Sequence, residues 1–127
     1  MCIAHDNTLW PVFCKPDEAY KLLKIKQDFK IGDPEVKFYA YWGNEHPVTV
    51  NGKEVYAVTW ENKGKYLLAV TNLSLQDQTL NITLDRKFFN GAYKVIDAET
   101  QTPVKLNSNS FAEKITRRNY KLYMIEK

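Results

Sequence analysis

The chain has 127 residues, 44% of them hydrophobic, 26% charged and 13% aromatic, and Lys+Arg 18 against Asp+Glu 15 leaves a formal charge of +3. This composition excludes a disordered chain, which is poorer in apolar residues and richer in one sign of charge, and the length supports a core burying about two thirds of the unfolded surface. The mild charge argues against nucleic acid as a partner, and no stretch approaches the ~20 apolar residues that span a bilayer, so no membrane insertion is expected.

Met1 to Asp6 reads as a short apolar strand ending in two chemically capable residues, His5 and Asp6, and Asn7 to Lys15 as a loop carrying Trp10. The first residues lack the basic start and apolar centre of a signal peptide. Pro16-Asp17-Glu18 starts a helix, since proline suits the first turn and acidic side chains favour the positive end of the macrodipole. Ala19, Leu22, Leu23, Ile25 and Phe29 then fall roughly on one face, with Lys21, Lys24, Lys26 and Gln27 on much of the other. The helix is expected to run about three turns, to end at Gly32-Asp33-Pro34, and to dock its apolar face on a sheet.

Beyond Pro34 the helical spacing gives way to short alternating runs. Val36 to Tyr41 is an aromatic-rich strand. Val48-Thr49-Val50, Asn51-Gly52 and Glu54 to Trp60 predict a hairpin, because Asn and Gly accept the positive φ of a tight primed turn. Asn62-Lys63-Gly64 turns the chain into Lys65 to Leu73, which is apolar on both faces and so reads as a central strand. Thr79 to Asp85 alternates, with Leu80, Ile82 and Leu84 inward. Tyr93 to Ala98, Val104 to Leu106, Phe111 to Ile115 and Tyr120 to Glu126 complete the strands. The pattern predicts a mainly β chain, an immunoglobulin-like antiparallel β-sandwich of about eight strands over 35–127, preceded by a strand-loop-helix lead-in with one amphipathic helix over 1–34.

Chemistry is sparse in this pattern. Cys2 and Cys14 cannot supply a four-ligand zinc site with histidines as far apart as His5 and His46, so no metal is expected; one disulfide and two free thiols both remain open. Cys2 and His5, three apart on a strand, face opposite sides and make a poor nucleophile-base pair. The isolated glycines form no phosphate loop, and no cofactor is expected. The carboxylates sit mainly at turns and helix caps, so no catalytic pair is assigned. The aromatics are more informative. Sugars present apolar C–H faces to flat rings, and Trp42, with Tyr39 and Tyr41 before it and His46 after it, is the best candidate carbohydrate-binding cluster. Burial is nevertheless the first expectation for both Trp42 and Trp60, as for tryptophan generally.

The order of these features resembles the C-terminal end of bacterial glycoside hydrolases built as a (β/α)8 barrel followed by a β-sandwich. The likeness is carried by His5-Asp6 after an apolar strand, the helix ending Asp28-Phe29, Phe38-Tyr39-Ala40-Tyr41-Trp42, the segment Gly64 to Leu73, Tyr93 to Thr100 and the closing Tyr120 to Ile125. The resemblance implies that residues 1 to about 30 are the last β/α unit of a barrel, with His5 and Asp6 at the rim where barrel chemistry sits in a full-length parent. It also implies a non-catalytic accessory domain that caps or positions the barrel; the compartment stays open, a periplasmic or secreted parent being one case. Two other roles stay open: an autonomous carbohydrate-binding module, and a protein-interaction domain that pairs through an edge strand.

Overall fold

The computed structural model describes residues 16–127. Helix α1 (Pro16–Asp28) begins at the expected proline. It ends earlier than Gly32-Asp33-Pro34 predicts. Lys30 adopts a left-handed φ of 62°, the Ile31 N–H reaches back to the Lys26 carbonyl at 3.0 Å, and the Lys30 N–H to that of Gln27 at 2.9 Å. This is a Schellman closure, with a lysine where glycine is usual.

Nine strands follow: β1 (Lys37–Tyr39), β2 (Val48–Val50), β3 (Val55–Asn62), β4 (Lys65–Asn72), β5 (Gln78–Leu84), β6 (Lys94–Asp97), β7 (Pro103–Val104), β8 (Ser110–Ile115) and β9 (Asn119–Glu126). They form two antiparallel sheets, one of six strands in the order β1-β3-β4-β9-β6-β7 and one of three in the order β2-β5-β8. Strand β4 is the expected central strand: every residue from Tyr66 to Asn72 is buried. Because successive side chains point to opposite faces, this one strand feeds two cores. Tyr66, Leu68 and Val70 pack with Leu80, Ile82, Leu84, Phe111 and Ile115 of the three-stranded sheet. Leu67 and Ala69 pack with Val58, Trp60, Leu122, Leu22 of the helix and Phe29 just past its end. The helix therefore docks as expected, and the layers run helix, six-stranded sheet, three-stranded sheet.

The hairpin expected at Asn51-Gly52 does not form. Strand β2 pairs with β5, Thr49 opposite Thr83, whereas β3 pairs with β1 and β4 in the other sheet. Asn51-Gly52 is a corner between sheets, fastened to β5: the Asn81 N–H donates to Asn51 Oδ1 at 2.8 Å, and Gln78 exchanges hydrogen bonds with the Lys53 backbone. Glycine is needed at this corner because φ is +108° and a Cβ at Gly52 would lie 2.7 Å from Leu80 Cδ2. The reason for the crossover lies in β3 itself, whose Val58 and Trp60 face the helix while Val55 and Ala57 face the other core. Such a strand belongs in the sheet that is covered on both sides. The primed two-residue turn occurs one loop later, at Lys63-Gly64 with φ of 50° and 82°, between the paired Asn62 and Lys65.

Where β4 ends, Asn72 ties the sheets together. Its side-chain amide donates to the carbonyls of Gln76 at 2.9 Å and Ile115 at 3.0 Å, and its Oδ1 accepts from the Ser74 N–H, the Ser74 hydroxyl and Gln78 Nε2. At the margins the six-stranded sheet closes with the three-residue β1 and with β7, two residues long and opening on Pro103.

Two stability measurements follow. Asn72→Ala strands donors and acceptors in the β4–β5 turn and in the three-stranded sheet and should cost about 3 kcal/mol in urea denaturation; a loss no larger than that of a surface substitution would refute this role. Gly52→Ala should lose about 3 kcal/mol from clash and backbone strain together, against about 1 kcal/mol for Gly64→Ala. A Cβ at Gly64 meets nothing within 4 Å. Equal melting temperatures for the two variants would contradict the corner.

Candidate functional site

The pleat of β1 decides which candidate residues meet. Phe38 faces the helix side of the sheet and stacks on Trp60, centroids 5.4 Å apart at 28°. Tyr39, one residue on, points to the opposite face, where it meets the Phe88 ring edge-on at 5.6 Å and donates its hydroxyl to Glu61 Oε2 at 2.9 Å. Only 6% of Tyr39 is exposed. Burial raises its hydroxyl above the usual phenol range, the neighbouring Lys37 opposes this, and the Glu61 acceptor adds to it.

A tight turn after β1, closed by the Gly43 N–H on the Ala40 carbonyl at 3.0 Å, returns Tyr41 and Trp42 to the side of Phe38. The Tyr41 ring lies 4.4 Å from Tyr56 and 4.8 Å from Trp42, perpendicular to the indole, and Phe38 supports Trp42 edge-on at 6.1 Å. Phe38, Tyr41, Trp42, Tyr56 and Trp60 thus make one continuous aromatic ledge over β1 and β3. Its two tryptophans differ sharply: Trp60 is 1% exposed and Trp42 58%. Burial, the first expectation for both, holds for Trp60 and fails for Trp42, because the stacked Phe38 ring covers Trp60 while Trp42 lies beyond the strand in the turn. Asn44, Glu45 and His46 follow it on the surface, and Lys37 pairs with Glu45 at 3.5 Å. Tyr41, His46, Thr49 and Tyr56 help to line an open groove of about 250 Å³ between β2 and β3.

Of the four sequence candidates, then, Trp42, Tyr41 and His46 share one surface region and Tyr39 lies apart from it. Phe38 and Tyr56 belong to the ledge, although no sequence signal distinguished them from core. His5, Asp6, Cys2, Cys14 and Trp10 lie outside the described residues.

A second, polar cleft of about 430 Å³ lies where α1 meets the turn after β6, lined by Lys21, Asp97, Glu99, Asn119, Tyr120 and Lys121. Its Asp97 already accepts the Glu99 and Thr100 N–H groups through Oδ1, at 2.9 and 3.1 Å. Other carboxylates are similarly engaged. Asp77 and Asp85 accept backbone N–H groups, Glu61 accepts the Tyr39 hydroxyl, and Glu113 pairs with Lys121 at 2.8 Å. Among the described residues no group of three or more His, Cys, Asp or Glu is placed to hold a metal ion, and no helix is long and apolar enough to cross a membrane.

Residues 18–118 match the family model of the glycoside hydrolase 123 C-terminal domain. No curated protein matches the chain significantly. Among solved structures the chain is similar to an alpha-amylase from Geobacillus thermoleovorans, complexed with acarbose, with a TM-score of 0.60 and 10% identity over 94% of this chain and 25% of that one. It is also similar to a GH27 β-L-arabinopyranosidase from Geobacillus stearothermophilus, in complex with arabinose, with a TM-score of 0.50 and 14% identity over 60% of this chain and 18% of that one. At such identities the likeness is one of fold, and the chain spans a quarter or less of either neighbour's length.

The exposure of the two tryptophans has a direct test. Trp60→Ala should cost about 3 to 5 kcal/mol, as expected for a large core side chain, and Trp42→Ala about 1 kcal/mol or less. Comparable losses in urea denaturation would mean that Trp42 is a core residue.

Proposed function

Since the chain belongs to the glycoside hydrolase 123 C-terminal domain family, we propose that it is a non-catalytic accessory domain that caps and positions a catalytic (β/α)8 barrel. The observation that carries this reading is the seat of α1 on the outer face of the six-stranded sheet. Leu22, Ile25 and Phe29 pack toward that sheet. At 100° per residue, Tyr20 then points almost directly away from it, and it is 68% exposed. A helix anchored on one side and carrying an exposed aromatic on the other suits the last helix of a barrel, shared between two domains. On this reading residues 1–34 supply the closing β/α unit and the sandwich follows directly from it.

The chemistry supports the same division of labour. Glycoside hydrolysis normally needs two carboxyl groups about 5 to 10 Å apart, one of them kept protonated. In this domain Asp77, Asp85 and Asp97 serve as backbone caps, while Glu113 is held in an ion pair. Both structural neighbours are enzymes of which the matched region is a quarter or less, which agrees with catalysis residing elsewhere in such chains.

The test separates a docking role from a folding role. In the isolated chain Tyr20→Ser should change stability by about 0.5 kcal/mol or less, as at an ordinary surface site. In a polypeptide that carries this chain behind a barrel, the same change should lower the melting temperature of the barrel by several degrees, and deletion of the sandwich alone, residues 35–127, should lower it further. A barrel that melts unchanged after both alterations would defeat the accessory reading.

A further inference from the structure

The aromatic ledge covers β1 and β3 on the same face of the six-stranded sheet that α1 packs against: the Phe29 carbonyl accepts from Asn62 at the end of β3, and Ile25 lies beside Ile96, Ala98 and Met124 of the β6 and β9 region. We propose that the ledge is a surface binding site for neutral glycans, with the Trp42 indole stacked on the C–H face of one pyranose ring and the sugar chain continuing past Tyr41 into the groove between β2 and β3.

Three observations carry this. First, the 58% exposure of Trp42 is that of an indole supported by perpendicular and edge-on rings, Tyr41 at 4.8 Å and Phe38 at 6.1 Å. Rings braced in this way hold the indole in place before a ligand arrives, and pre-ordered anchors lose little conformational freedom on binding. Second, polar side chains that can reach sugar hydroxyls lie beside the apolar platform: Asn44 and His46 on the surface next to it, and Thr49 in the groove. A flat apolar ring rimmed by donors and acceptors matches the amphipathic surface of a sugar better than it matches a purely apolar partner. Third, among the described residues no Lys, Arg, Asp or Glu lines the groove, and the nearby Glu45 is paired with Lys37. The occupant is therefore uncharged, which excludes uronates and sulfated chains as preferred ligands. The open groove, about 250 Å³ in volume, falls short of the ~300 to 1,000 Å³ that encloses a compact small molecule, so the site takes a short stretch of chain along the surface.

The proposal does not depend on the accessory reading, because it is tested on this chain alone. The 127-residue chain would be titrated with maltohexaose, cellohexaose and mannohexaose, and with polygalacturonate as a charged contrast. Backbone amide resonances give the readout, and light scattering follows the oligomeric state. At least one neutral hexasaccharide should shift resonances within residues 38–57, more strongly than polygalacturonate. Trp42→Ala should weaken that binding about ten-fold or more, the effect of truncating an aromatic anchor. Trp42→Phe, which keeps a flat ring, should retain most of it. The proposal is overturned if no neutral hexasaccharide shifts these resonances up to millimolar concentration, or if Trp42→Ala binds as tightly as the parent. It is equally overturned if the chain dimerises and Trp42→Ala makes it monomeric without any sugar competing, which would assign the ledge to a second copy.

Discussion

A single strand that must be hidden on both faces sets the architecture. From Tyr66 to Asn72 every residue of β4 is buried, and alternation sends three of the apolar side chains one way and two the other. Each row needs a cover. The three-stranded sheet supplies one and α1 the other, which is why a chain of this length builds three layers where a simple sandwich would need two. The helix-facing row is suited to its cover: Ala69 and Ala98 are small, so that Leu22 and Phe29 can sit close to the sheet beside the bulkier Leu67 and Leu122. At Asn72 the apolar row ends in an amide whose hydrogen bonds reach the last residue of β8, so the two sheets are joined by directional bonds as well as by packing.

Those parts of the fold governed by a strong local period were legible in the sequence. The amphipathic spacing of Leu22, Ile25 and Phe29 announces a helix that must dock, and the doubly apolar run from Lys65 to Leu73 announces a central strand. What the residues did not reveal was partnership. Asn51-Gly52 carries the composition of a hairpin turn, and the turn that was made there needs its glycine, yet β2 and β3 separate into different sheets. That outcome depends on side chains remote from the turn: Val58 and Trp60 need the helix, whereas Val48 faces only the inner core. Local turn chemistry is silent about such distant demands. The end of α1 teaches the same lesson on a smaller scale, since Lys30 takes a conformation that glycine two positions later seemed better suited to provide.

The candidate site was half legible for a similar reason. Composition pointed to the aromatic cluster around Trp42, but pleat geometry removes Tyr39 from it and long-range packing adds Phe38 and Tyr56. Two residues of the same type meet opposite fates because Trp60 lies within the row over which the helix side closes and Trp42 lies just past the end of a three-residue strand. The carboxylates were easier to read: side chains at turns were expected to cap or to face water, and Asp77, Asp85 and Asp97 do cap neighbouring backbone.

The margins of the six-stranded sheet bear on how such a domain survives alongside other chains. A growing fibril or a stray peptide extends a sheet by copying its outermost row of amides, and long flat rows are the most easily copied. One margin here is three residues long, and the other is two residues long and starts with Pro103, which has no N–H to offer. With so few amides to copy, neither margin of the six-stranded sheet offers a template long enough for a second chain to extend.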